Sequence, residues 1–209
     1  MTMLQITYDG ITEPDADQLA ELRQKFSERH FVHLRGLIER SFLDQLADRI
    51  EQVEFREDLT ENIGCVERCA DPRIDHGMQF MLNQEPILKT VAAIVGKPVH
   101  RWLGNTVRRT PGANHFSNWH NDTTPPVEVE GHRFQRVVPL SLNLTREPFA
   151  GGNLCMRTVP DEQEFADIEN KGPGDALLFR IGPDLQHRVA DVEGTVPRLV
   201  HVGWFHERL

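Results

Sequence analysis

Apolar residues recur along the first part of this chain at helical spacing and along the second part at alternating spacing. Leu19, Leu22 and Phe26 follow Pro14-Asp15 and predict a helix. Phe31-Val32-His33-Leu34 reads as a short strand ending at Gly36. A second helix is expected from Ser41, an N-cap residue with Asp44 three positions on, carrying Leu43, Leu46, Ile50 and Val53. Residues 56 to 83 show no clear period and are expected to form a loop-rich insertion. Pro86 suits the first turn of a third helix with Ile87, Val91 and Ile94, and Gly96 ends it.

Beyond Lys97 short β-prone runs alternate with Gly and Pro. They span Val99–Arg109, Phe116–Asp122, Phe134–Thr145, Leu154–Thr158, Ala176–Ile181, His187–Val192 and Arg198–Phe205. In the third, Val138, Leu140, Leu142 and Leu144 alternate with Ser141 and Asn143, so one face is apolar. The expected fold is mainly β with N-terminal helices: a jelly roll buttressed by helices on one sheet. At 209 residues one domain is the natural reading, with 1–96 as helical support and first strand and 97–209 as the jelly-roll core.

Composition narrows the function classes. The formal net charge of -9 disfavours non-specific binding to nucleic acid or an anionic membrane. No apolar run approaches the roughly 20 residues that span a bilayer. The first residues lack the pattern of a signal peptide, and Cys65, Cys69 and Cys155 make a poor disulfide framework, so a cytoplasmic location is expected.

The candidate chemistry lies in the β-rich part. On a strand, His120 and Asp122 of Trp119-His120-Asn121-Asp122 would point to the same face and reach one ion. Alone, the tripeptide reads more readily as a surface histidine beside a loop carboxylate. His187 begins a later β-prone run, and Arg198 opens the next after Gly194 and Pro197. Two imidazoles and one carboxylate suit a borderline divalent metal with coordination positions left open. A guanidinium fork suits a carboxylate, although an exposed salt bridge is the commoner fate of an arginine.

These segments carry a family resemblance over roughly residues 104–206. Val107-Arg108-Arg109-Thr110-Pro111-Gly112, the His120-x-Asp122 pair, Gly151-Gly152-Asn153-Leu154, Gly174-Asp175-Ala176-Leu177-Leu178-Phe179, His187-Arg188-Val189 and Pro197-Arg198 occur in that order. Together they resemble the Fe(II)/2-oxoglutarate-dependent dioxygenase superfamily, most of all its prolyl-4-hydroxylase-like branch. The resemblance implies that His120, Asp122 and His187 bind Fe(II) as catalytic metal ligands, and that Arg198 grips the distal carboxylate of the cosubstrate 2-oxoglutarate. It implies an oxidoreductase that consumes dioxygen and releases succinate and CO2. With Asp122 retained, hydroxylation or desaturation is implied rather than halogenation. The chain departs from the branch in carrying Arg109 where many members have a tyrosine that helps hold the cosubstrate, and Arg198 where the prolyl hydroxylases usually have lysine.

The expected substrate is a small molecule: an amino acid, peptide or secondary metabolite. The alternatives are a peptidyl or protein side-chain hydroxylase and a non-catalytic jelly-roll binding protein. A peptide enzyme should leave an open groove near Thr123–Gln135, whereas a small-molecule enzyme should close that segment over the metal. Other residues read more blandly. His201 falls on the face opposite Arg198, His115 has no carboxylate at i+2, and His206 lies in a terminal stretch. Trp119 and Trp204 are expected to pack. Ser141 and Asn143 face either a polar interior or water. Arg101, Arg108 and Arg109 form either a basic mouth or solvated edges. Oligomeric state is not legible.

Overall fold

The computed structural model describes residues 4–169 and 172–209. A hairpin, β1 (Gln5–Thr7) and β2 (Gly10–Thr12), leads into helix α1 (Ala16–Arg29). Asp15 starts that helix reciprocally: its carboxylate accepts the Gln18 N–H while the Gln18 side chain accepts the Asp15 N–H. Two donors that a helix start leaves open are thereby satisfied. Strand β3 (Phe31–Leu34) and helix α2 (Arg40–Ile50) follow. The expected Ser41 cap is not realised, because the helix starts at Arg40 and Glu39 holds the cap position without a side-chain bond. The buried stripe of Leu43, Ala47 and Ile50, rather than a cap, fixes this helix.

The largest departure lies in residues 56–83. In place of a loop-rich insertion stand β4 (Phe55–Thr60), β5 (Gly64–Cys69) and helix α3 (Pro72–Leu82). Most of the hairpin's residues are exposed or half-buried, so no apolar face recurs with period two. Helix α4 (Glu85–Val95) ends on Gly96, whose φ of 70° is the left-handed conformation that glycine adopts without strain.

The remaining strands are β6 (Arg101–Arg109), β7 (Phe116–Ser117), β8 (Val127–Val129), β9 (His132–Asn143), β10 (Ala150–Gly151), β11 (Leu154–Thr158), β12 (Glu164–Ile168), β13 (Ala176–Phe179), β14 (Leu185–Val189), β15 (Val192–Glu193) and β16 (Arg198–Arg208). The expected strand Phe116–Asp122 shrinks to β7, and the last strand runs on to Arg208, which buries His206 within the sheet.

The larger sheet runs β3-β13-β9-β16-β6-β5-β4, with β7 beside β5 and β8 beside β9. All its pairings are antiparallel. A second sheet, β12-β11-β14, is also antiparallel. The fold is the expected jelly roll with helices on one sheet. Val138, Leu140, Leu142, Ala176 and Leu178 pack with Leu22, Phe26, Leu43, Ile87 and Val91 of the helices. Each such buried Val or Leu contributes about 1.5–3 kcal/mol. Alternate residues of the same strands face the interior, where Leu177 and Phe179 meet Leu154, Met156 and Leu185 of the smaller sheet. The helices thus hold the larger sheet from behind and leave its inner face for chemistry. Among the described residues no helix is long and apolar enough to cross a membrane.

Candidate active site

His120 and His187 face each other across a single antiparallel bridge between the segment after β7 and strand β14. The His120 N–H donates to the His187 carbonyl at 3.1 Å, and the His187 N–H donates back at 2.8 Å. This reciprocal pair sets the two imidazole centroids 4.4 Å apart. Asp122 lies just past the bridge in a stretch without regular structure, so strand alternation is not what brings it in. Trp204 of β16 holds it instead, its Nε1–H donating to Asp122 Oδ2 at 2.8 Å.

The three side chains offer one donor atom each, all within 4.8 Å of one another. His120 Nε2 lies 3.8 Å from Asp122 Oδ1, and His187 Nε2 lies 3.4 Å from Asp122 Oδ2. Adjacent donors of a divalent ion with bonds near 2.1 Å sit roughly 3 Å apart, so small side-chain rotations suffice to close on an ion. The Nδ1–H of His120 donates to the Asn118 carbonyl at 2.7 Å. That bond fixes the tautomer with a lone pair on Nε2, which a metal requires. Burial and the neighbouring His187 ring push the His120 pKa down, favouring the neutral ligand form. Burial works against the Asp122 carboxylate, but hydrogen bonding with His187, both imidazoles and the Trp204 N–H outweigh it and hold its pKa below the usual value. The donor set and its orientation fit Fe(II), with the open side toward the interior.

Arg198 opens β16 on the same face as Trp204 and sits directly opposite Arg109 of β6. Both are buried, at 5% and 7% exposure. Arg198 Nη2 donates to Ser141 Oγ at 3.2 Å, while Arg198 Nε and Arg109 Nη1 are buried without a hydrogen-bond partner. Burial lowers the Arg198 pKa to about 9, with the Arg109 charge adding to the shift, and burial lowers Arg109 to about 10. Both remain cationic at neutral pH. Like charges directly opposite on a sheet repel, and orphaned buried N–H groups cost stability. An anion placed between them relieves both, and the distal carboxylate of 2-oxoglutarate fits that role.

A cavity of ≈ 510 Å³ joins the two centres. His120, Asp122 and His187, Arg109 and Arg198, and Arg136 and Trp204 all line it, and β4 and β5 contribute Asp58, Thr60 and Val66 to its wall. Gly152 touches the Arg198 stem: a Cβ there would lie 2.7 Å from Arg198 Cδ, and φ is +68°. Gly152→Ala is therefore expected to displace Arg198 and weaken 2-oxoglutarate binding about tenfold or more, from roughly 1–2 kcal/mol of backbone strain plus the clash. Calorimetric titration of the Mn(II)-loaded variant checks this, and an unchanged affinity rejects it.

The other residues singled out in the sequence scatter. His201 is wholly buried on the opposite face, accepts the Trp102 Nε1–H at 3.2 Å, and has its pKa pushed by burial to about 3. Glu57, Cys65 and His115 also bring donors within 4.8 Å. His115 Nδ1, however, accepts the Thr110 N–H at 2.9 Å, so the neutral ring carries its proton on Nε2 and offers no lone pair there. Ser141 faces the cavity, whereas Asn143 is tied to the Gly172 carbonyl. The Arg157 and Arg188 guanidiniums lie against the Trp119 ring, at 4.6 and 4.9 Å from its centroid. Arg101 pairs with Glu130 and Arg108 with Glu67, and of the three only Arg109 lines the cavity, so they do not form a common basic mouth. Trp204 and Arg136 are among the cavity residues that sequence reasoning missed. Trp204 shared the parity of Arg198 along one strand, and that signal was available.

The family model described as the 2OG-Fe(II) oxygenase superfamily matches residues 105–206. No curated protein sequence matches. Among solved structures, a Pseudomonas putida prolyl-4-hydroxylase superposes with a TM-score of 0.63 at 19% identity, covering 91% of this chain and 100% of that one. HygX from Streptomyces hygroscopicus with nickel, 2-oxoglutarate and hygromycin B bound gives 0.59 at 14%, covering 92% and 87%. A Trichoplax adhaerens prolyl hydroxylase in complex with a hypoxia inducible factor peptide fragment gives 0.58 at 14%, covering 92% and 93%. At these identities the structures show the jelly-roll fold, and the family match adds the chemistry. Residues 105–206 thus carry a domain of the 2OG-Fe(II) oxygenase superfamily, and the protein is a dioxygenase that uses Fe(II) and 2-oxoglutarate.

Proposed function

We propose that the chain hydroxylates a small molecule, with residues 1–209 acting as one catalytic domain. In balance, R–H, dioxygen and 2-oxoglutarate give R–OH, succinate and CO2. Bound Fe(II) and 2-oxoglutarate supply the oxidising chemistry. The protein's own residues hold, orient and shield. His120, Asp122 and His187 would hold the metal from one side, and Trp204 would keep the Asp122 carboxylate turned toward it. Arg198, steadied by Ser141, would take the distal carboxylate of the cosubstrate, and Arg109 would stand where many relatives have a tyrosine.

One observation carries this reading: a single cavity of ≈ 510 Å³ holds both the three-donor cluster and the two buried guanidiniums. Its walls favour a small molecule over a peptide. Within the segment from Thr123 to Gln135 residues 127–134 form the β8–β9 hairpin, Gln135 Nε2 donates to the Thr124 carbonyl at 2.9 Å, and Thr124 itself lines the cavity. The β4–β5 hairpin adds a further wall. A peptide substrate needs an open groove at the first of these places. Relatives of this fold have been captured with either kind of molecule, hygromycin B in one and a peptide fragment in another, so the walls that Thr124 and the β4–β5 hairpin give this cavity are what favour the small molecule here.

The test is succinate formation by the protein with Fe(II), ascorbate and 2-oxoglutarate across panels of small metabolites and of unstructured peptides. Small molecules are expected to stimulate succinate release and to gain one oxygen atom by mass. Stimulation by peptides alone overturns the substrate assignment. No succinate under any condition overturns the whole reading.

A further inference from the structure

We infer that the substrate is an acid, carrying a carboxylate or phosphate group that Arg136 receives beside Trp204. This rests on the small-molecule reading above and names its substrate class. The chain as a whole is acidic, with a net charge of -9, yet its cavity is cationic. Arg68 in the wall is neutralised by Asp58, whose Oδ2 accepts its Nε–H at 2.8 Å. The charged side chains left in the described lining are three arginines, Arg109, Arg136 and Arg198, against one carboxylate, Asp122. A divalent ion adds two positive charges and the 2-oxoglutarate dianion removes two. Asp191, outside the lining, offsets part of the Arg109 charge. The positive charge left without a counter-ion is therefore concentrated at Arg136.

Arg136 lies at the opposite end of β16 from Arg198, paired with His206 where Arg198 pairs with Arg109. On β16 Trp204 stands six residues from Arg198, and Arg136 lies over Trp204 with its guanidinium carbon 3.6 Å from the ring centroid. At about 3.3 Å per residue the Cα atoms of Arg198 and Trp204 are roughly 20 Å apart, so Arg198 and Arg136 enter the cavity from different ends of β16. Asp122 does not saturate Arg136. Asp122 Oδ1 is 3.9 Å from Arg136 Nη1, beyond hydrogen-bond reach, and Nη1 donates only to the Asp122 backbone carbonyl at 3.3 Å. Arg136 Nε is buried with no partner, and so is Thr124 Oγ1 in the same wall. A stacked guanidinium edge and a hydroxyl, both unpaired and both in the cavity wall, make a receptor for an oxyanion. The site adjoins Asp122, so an acid held there lies beside the metal cluster.

The experiment is calorimetric titration of the Mn(II)- and 2-oxoglutarate-loaded protein, without oxygen. The probes are a panel of small carboxylic acids, their primary amides and matched phosphate monoesters. Wild-type protein is expected to bind at least one acid or phosphate ester ten times more tightly than its amide. Preference for carboxylates or for phosphate esters identifies the acidic group. Arg136→Gln is expected to abolish that preference while 2-oxoglutarate affinity stays within twofold, and Thr124→Val is expected to weaken it severalfold. If wild-type protein binds 2-oxoglutarate but no anion better than its amide, the acid assignment fails and the proposed function stands. The assignment also fails if Arg136→Gln folds, judged by its circular dichroism, and keeps the preference. Should Arg136→Gln not fold, an unchanged preference in Thr124→Val overturns the receptor. If wild-type protein with Mn(II) binds no 2-oxoglutarate, the proposed function falls and the acid assignment with it.

Discussion

Replacing His120 by alanine is expected to abolish Fe(II) binding and, with it, succinate formation. The loss follows from donor count and geometry. His120 supplies one of the three donors in the cluster, its Nε2 is oriented by the bond from Nδ1–H to the Asn118 carbonyl, and the ring faces His187 at 4.4 Å. Removing groups that merely orient a ligand typically costs about 10–100-fold in metal affinity, so removing the ligand itself should cost more than about a hundredfold. The variant should still fold. The bridge to β14 is made by the His120 backbone, which alanine keeps, and the side chain contributes nothing to either hydrophobic cluster. Equilibrium binding of Fe(II) or Mn(II), read beside far-UV circular dichroism, separates loss of the site from loss of the fold. Metal affinity within threefold of wild type would reject His120 as a ligand.

Sequence reasoning singled out His120, Asp122, His187 and Arg198, which the structure places on one cavity, because metal and carboxylate binding restrict the residue types that can serve. It reached the fold because the stripe at Val138, Leu140 and Leu142 has one apolar face, which the structure presses onto the helices. It missed the β4–β5 hairpin for the converse reason: those strands are exposed or half-buried along most of their length, and neither face recurs as apolar. The placement of Asp122 was anticipated for the wrong cause. Residues 118 to 126 form no strand, and the carboxylate is set by a tertiary hydrogen bond from Trp204, a residue expected only to pack. Arg136 was illegible because its meaning depends on what lies beneath it. Nothing in its local sequence tells that its guanidinium rests on a tryptophan 68 positions away. Arg109 was noticed as a departure from the family pattern. Only the register pairing it with Arg198 turns that departure into a second cation at the same place.

That pairing gives the second large effect. Arg198→Ala is expected to raise the half-saturating 2-oxoglutarate concentration about 30- to 1000-fold, the roughly 2–4 kcal/mol lost when one partner of a buried, hydrogen-bonded charge pair is truncated. The turnover rate at saturation should change far less, because Arg198 would touch the end of the cosubstrate remote from the reacting atoms. Arg198→Lys should recover only part of the affinity, since a point charge cannot reproduce a fork that contacts Ser141 and still reaches a carboxylate. Stability separates a binding role from a structural one. Without an anion, Arg198 is a buried cation opposite another cation, with its Nε unpaired. Replacing it by methionine, which keeps most of the stem volume, removes that repulsion, so the metal-free Arg198→Met variant should melt no lower than wild type and should lose the stabilisation that 2-oxoglutarate confers. If Arg198 were instead a structural strut, the same variant would melt several degrees lower and still be stabilised by the cosubstrate. The two outcomes run in opposite directions, so one pair of melting curves decides whether the guanidinium is held there for the fold or for the ligand.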